Sequence, residues 1–142
     1  MSKRRRGVPA ADLAALRRRR EARHSRFEDL VDRALAGIPM PFAAALREVA
    51  IVIADEPSPE QRRDEDLAPD ETLYGLYEGV PRTAWGADEV PFPNAITIFR
   101  LPLEGDFPDP LELEDEVRIT VVHELAHHMG IDDDRLAELG LD

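Results

Sequence analysis

The feature that most constrains the fold is a helix near the C-terminal end, in "DPLELEDEVRITVVHELAHHMG", residues 109–130. Asp109 reads as its N-cap, Pro110 as its first residue, and acids fill the first turn, where they meet the positive end of the helix dipole. Gly130 lets the chain leave in a left-handed turn. Ile119, Val122, Leu125, Ala126 and Met129 recur at helical spacing and form an apolar stripe that must be covered. A helix this long with one such stripe needs a sheet or other helices against it.

The rest of the chain offers a small sheet. "EVAIVIADE" is β-branched and apolar, and reads as a buried strand. "TLYGLYEGVP" alternates like a second, and "NAITIFRLPL" reads as a third, ended by Pro102. Upstream, Ser25 is expected to cap a helix in "RFEDLVDRALAGIP", where Phe27, Leu30, Val31, Ala34 and Leu35 keep helical spacing until Gly37 and Pro39. "PFAAAL" reads as a short helix, "PSPEQRRDEDLAPDE" as an exposed loop, "RTAWGADEVPFP" as a loop plugged by Trp85, and "DDRLAELG" as a last helix. Helix, helix, three consecutive strands, helix, helix predicts a compact α+β fold, with a small three-stranded sheet packed on the long motif-bearing helix.

That helix carries H-E-x-x-H. His123 and His127 are four residues apart, about 6 Å along the axis and about 40° past a full turn, so both imidazoles project from one face and can bind one ion. Glu124, one position on from His123, reaches a metal-bound water rather than the metal. There it can act as a general base and return the proton to a leaving amine. Gly130 follows His123 by seven residues and Asp133 by ten, so Asp133 can swing back as a third ligand. Asp132 and Asp134 compete for that place, though each also suits the cap of the last helix. His128 points about 100° away from His127 and reads as a supporting or surface histidine. Arg100 and Arg135 read as salt-bridge residues.

Charge is distributed unevenly. Residues 1–26 carry ten Lys/Arg against Asp12 and Glu21, a balance of +8, whereas the whole chain stands at −12. The basic arm, residues 1–24, is expected to be flexible or to lie on the acidic body, with residues 25–142 as the folded domain. Nucleic acid is the alternative partner for the arm, although no aromatic residue before Phe27 offers a stacking platform. Without cysteine the chain has no disulfides and no thiolate metal site, which fits the cytoplasm. No apolar run is long enough for a membrane span.

"HELAHHMGIDDDRLAELG", with "LYGLYEGVP" and "ITIFRLPL" before it, resembles the minimal zincins, small bacterial zincin-like metallopeptidases. The resemblance covers residues 119–140 most tightly and does not extend to the basic arm. It implies a zincin-like core, a zinc cofactor and a peptide or protein substrate. By position it makes His123 and His127 ligands, Glu124 the base and Asp133 the third ligand. Unlike the metzincins, the chain has Asp in place of a third His and no Met-turn. Two functions follow. One is a zinc-dependent peptidase, with "NAITIFRLPL" as the sheet edge that receives an extended peptide. The other is a non-enzymatic binding module in which the metal only fastens the last helix to the long one.

Overall fold

The computed structural model describes residues 10–79 and 94–138, with side chains from Asp12 onward. Trp85 and its loop lie outside the described residues. Helix α1, Ala10–Ala36, is followed by a short α2, Phe42–Ala45, and a single 3-10 turn, Leu46–Glu48. Strand β1, Val49–Ala54, leads to α3, Pro59–Asp64, then to strands β2, Gly75–Glu78, and β3, Asn94–Phe99. Helices α4, Arg100–Asp106, α5, Pro110–His128, and α6, Asp133–Glu138, complete the described chain. The α+β arrangement expected from the sequence is the one found.

The sheet order is β1-β3-β2, with β1 parallel and β2 antiparallel to β3. The strand expected to be an edge is therefore the centre, and its burial explains why. Ile96, Ile98 and Phe99 are fully buried and Thr97 nearly so, which only a central strand permits. Among the described residues the sheet edges are β1 and β2. Strand β3 also stops earlier than Pro102, because α4 begins at Arg100 and Pro102 is its third residue. First-turn N–H groups have no partner inside a helix, so proline is tolerated there.

Two further expectations change. α1 runs unbroken through Ser25, which is therefore not a cap. The run of arginines before it is made of good helix formers, and no glycine or proline interrupts the helix between Ala10 and Ala36. In the proline-rich stretch after β1, α3 forms because Ser58 and Gln61 make a reciprocal capping box: the Ser58 side chain accepts from Gln61 N at 3.0 Å and Gln61 Oε1 accepts from Ser58 N at 2.9 Å.

The core lies between one face of the sheet, α5 and the C-terminal half of α1. Phe27, Leu30, Val31 and Ala34 of α1 meet Ile96 and Ile98 of β3 and Leu113, Val117, Val121, Leu125 and Ala126 of α5 in one cluster. Each large side chain so buried contributes about 1.5–3 kcal/mol, enough to fix α1 from Phe27 onward. The buried stripe of α5 steps in fours, and Ile119, expected to be on it, is 49% exposed. The sequence pattern of α5 is apolar on more than one side near residues 117–126, which blurs the stripe until the partners are known.

α5 starts as expected, with Asp109 as N-cap accepting from Leu111 N at 3.1 Å and Pro110 in the first turn. Its end sets the site. Gly130 has φ +79, Ile131 N donates to Ala126 O at 2.8 Å and Gly130 N to His127 O at 3.0 Å. These are the paired bonds of a Schellman turn, which reverses the chain over the last turn of α5. Ile131 then packs against the core cluster and holds the reversal.

Candidate metal centre

The reversal brings Asp133 back over α5. Its Oδ1 lies 3.0 Å from His127 Nε2 and 3.4 Å from His123 Nε2. The two imidazoles stand edge to face with ring centroids 4.8 Å apart. Both rings are about one third exposed and the Asp133 side chain is 76% exposed, so this cluster faces solvent. Asp132 is used otherwise: its Oδ1 accepts from Arg135 N at 2.8 Å, which makes it the cap of α6. Asp134 is exposed.

Glu124 lies beside this cluster but deeper, with 12% of its side chain exposed. Its Oε2 accepts from Tyr77 N at 3.0 Å and stands 3.3 Å from His127 Nδ1. His123, Glu124 and His127 each offer one donor atom, all within 4.8 Å of one another, a group able to hold a metal ion. Two trios thus share the histidines. Asp133 approaches both Nε2 atoms, whereas Glu124 meets His127 through the other ring nitrogen. Burial raises the Glu124 pKa above the usual carboxylate value, against the opposing pull of His127, His123 and the Tyr77 N–H. Burial works against protonation of His127, but its hydrogen bond to Asp133 and the Glu124 charge outweigh this and raise its pKa. The same hydrogen bond lowers that of Asp133.

Strand β2 supplies the wall of the site. Tyr74 O accepts from Phe99 N at 2.9 Å, so in an antiparallel ladder the alternate residues Gly75 and Tyr77 turn their backbone groups away from β3. Tyr77 N accordingly reaches Glu124. Gly75 lets the strand come this close, because a Cβ there would stand 2.6 Å from Thr120 Cγ2 and 3.3 Å from Thr97 O. Gly75→Ala is expected to lower stability by about 1–3 kcal/mol through overpacking, and Thr120→Ala on the same chain to recover most of it. Thermal melts of the two single variants and the double variant check this; a strictly additive pair would show that the contact is not the cause. A cleft of about 320 Å³ runs along this wall, lined by Leu73, Tyr74, Gly75, Thr120, His123 and Glu124 among others. A larger cavity of about 510 Å³ lies between α1 and the α4–α5 junction, with no histidine in its lining.

Of the two roles the sequence left open for His128, supporting or surface, the structure shows a fully buried supporting residue, and sequence reasoning missed only its partners. Its Nε2 lies 2.5 Å from Glu48 Oε2 and its Nδ1 lies 3.0 Å from the Tyr77 hydroxyl. A carboxylate only accepts, so Nε2–H donates to Glu48 and Nδ1 accepts from Tyr77. Burial, then the nearby Glu48 charge, raise the Tyr77 pKa and keep that hydroxyl protonated. A tyrosine in an apolar strand signals a buried hydroxyl needing a partner, but not which partner. Arg100 is buried between Asp55 and Glu104, and Arg135 pairs with Glu138, so both are salt-bridge residues as expected.

The sequence model of the zincin-like metallopeptidases matches residues 46–141. The chain belongs to that family. The match takes in β1 through α6 and thus every residue of the centre, while α1 precedes it. No curated protein is a significant match. As a zincin-like metallopeptidase the chain is expected to hold a metal, and the donor set fits one: two imidazoles and a carboxylate suit zinc better than magnesium or calcium. Ligands about 2.1 Å from a tetrahedral ion stand about 3.4 Å apart, close to the spacing of Asp133 from the two histidines. Among the described residues no helix is long and apolar enough to cross a membrane.

Proposed function

We propose that this zincin-like protein is a zinc-dependent peptidase in which His123, His127 and Asp133 hold the ion and Glu124 is the general base. The observation that carries this reading is the approach of both histidine Nε2 atoms to Asp133 Oδ1, with the buried Glu124 carboxylate alongside at the mouth of the cleft. A bound zinc ion supplies an acidified water and a Lewis acid for the peptide carbonyl. Glu124 takes the proton of the attacking water on its carboxylate and passes it to the leaving amine nitrogen. Tyr77 N–H holds Oε2 in place, and burial makes the carboxylate a stronger base than one in water. An extended polypeptide pairs with the outward backbone groups of Gly75 at the β2 edge, in place of the β3 edge expected from sequence.

The purely structural metal site is less well supported. Such a site closes with four protein ligands; Asp132 is engaged in capping α6, and Glu124 meets His127 through Nδ1 and not through the Nε2 that faces Asp133. We assign residues 25–142 to the peptidase unit and residues 1–24 to an arm, and place the cysteine-free chain in the cytoplasm. Zinc-loaded protein is expected to cleave an unstructured polypeptide such as casein, to stop after chelation and to resume when zinc is restored. Cleavage that persists in fully stripped protein, or none by zinc-loaded protein, overturns the reading.

A further inference from the structure

The N-terminal half of α1 has no part in the centre, and its shape and charge call for a partner. From Asp12 to Arg26 every residue is exposed except half-buried Ala15 and His24. Phe27 is the first buried residue, but Arg20 and His24 still border β1 at Ile53 and Asp55, and Arg23 and Arg26 border the α4–α5 junction, so α1 stands clear of the body only before Arg20. Arg17, Arg18, Arg19, Arg20, Arg23 and Arg26 make no ion pair among the described residues, whereas Arg33, within the anchored part, pairs with Glu114 at 3.0 Å.

Their bearings matter. At about 100° per residue, Arg18 and Arg19 stand about 100° and 200° around the axis from Arg17, whereas Arg20 and Arg23, at about 300° and 240°, lie on the side that borders the body. The charge of the projecting part therefore spans more than half of the helix circumference. A membrane or the acidic face of a second copy would meet one side only, and a membrane-surface helix needs an apolar face that exposed Leu13 and Leu16 alone do not make. A groove walled by anions on both sides meets all of it. The B-DNA major groove, about 12 Å wide, admits a helix of about 10–12 Å diameter between two rows of phosphates. Arg17–Arg19 also stand about 12–15 Å along the axis from Phe27, beyond the screening length of about 8 Å at physiological salt.

We propose that the projecting part of α1 docks in the major groove of duplex DNA, holding phosphates through Arg17, Arg18 and Arg19 without reading sequence. The absence of aromatic residues before Phe27 removes base stacking and with it a preference for single strands. Fluorescence anisotropy of a labelled 20-base-pair duplex with full-length protein tests this. Three phosphate contacts predict that affinity falls about 40-fold between 50 and 200 mM salt. Changing all three arginines to Gln, an equally good helix former, should abolish binding at 50 mM salt with an unchanged thermal melt. If that variant does not fold, Arg18→Gln with Arg19→Gln should reduce the log–log salt slope by about 1.8. A duplex RNA, with its narrow deep major groove, should bind more weakly. The proposal is overturned by no DNA binding at 50 mM salt, by full binding in the Gln variant, by equal binding to duplex RNA, or by binding only to anionic vesicles or to a second copy of the chain.

Discussion

Glu124→Gln is expected to keep the fold and the metal and to lower peptide hydrolysis by about 10²- to 10⁴-fold, the usual contribution of a positioned general base. The substitution is nearly isosteric. The amide oxygen of Gln can still accept from Tyr77 N–H, so the wall formed by β2 keeps its hold on α5. What is lost is the ability to take a proton. Burial makes this loss complete, since a side chain only 12% exposed leaves little room for bulk water to act in its place. The comparison requires equal zinc content and equal melting temperature in parent and variant, followed by turnover of a polypeptide that the parent cleaves. Unchanged turnover at equal zinc would remove Glu124 from the mechanism.

The site was more legible in the sequence than the fold around it. His123, Glu124, His127 and Asp133 are local to one helix and the turn after it, so helical geometry and one glycine suffice to bring them together. Gly130 was readable because a left-handed exit needs a residue without Cβ penalty, and its φ of +79 bears this out. What could not be read depends on contacts distant in sequence. Glu48 meets His128 across 80 positions and Tyr77 N meets Glu124 across 47, and neither pairing leaves a local pattern. The order of the strands has the same cause. "NAITIFRLPL" is mostly apolar on both faces, as a central strand requires, but its consecutive position after "TLYGLYEGVP" suggested a simple row of three. The chain instead returns β3 between its predecessors, parallel to β1, and this turns β2 into the edge beside α5.

Zinc affinity across His127→Ala and the single Asp→Ala variants at 132, 133 and 134 should separate the ligands from their neighbours. Parent protein is expected to hold about one zinc per chain. His127→Ala should hold none, because it removes one of two imidazoles and also the partner of Asp133. Asp133→Ala should weaken binding at least tenfold. Asp132→Ala should affect zinc only indirectly, since its carboxylate caps α6; its main cost should be about 1 kcal/mol of stability. Asp134→Ala should change neither. The pH dependence adds a second, independent signature. Zinc binds the neutral imidazole, so protons compete for His127. Its pKa is raised above the ordinary value near 6.5, in part by Asp133, so metal uptake in the parent should begin to fall at a correspondingly higher pH as the solution is acidified. Asp133→Ala removes the hydrogen bond that favours the imidazolium, so its weaker uptake should persist to lower pH before protons displace the metal. A site in which Asp133 were a bystander would show the opposite combination: unchanged affinity at high pH, and tighter binding than the parent near neutrality. Titrations with a competing zinc indicator at several pH values distinguish the two, and tight binding by Asp133→Ala at high pH would exclude it as a ligand.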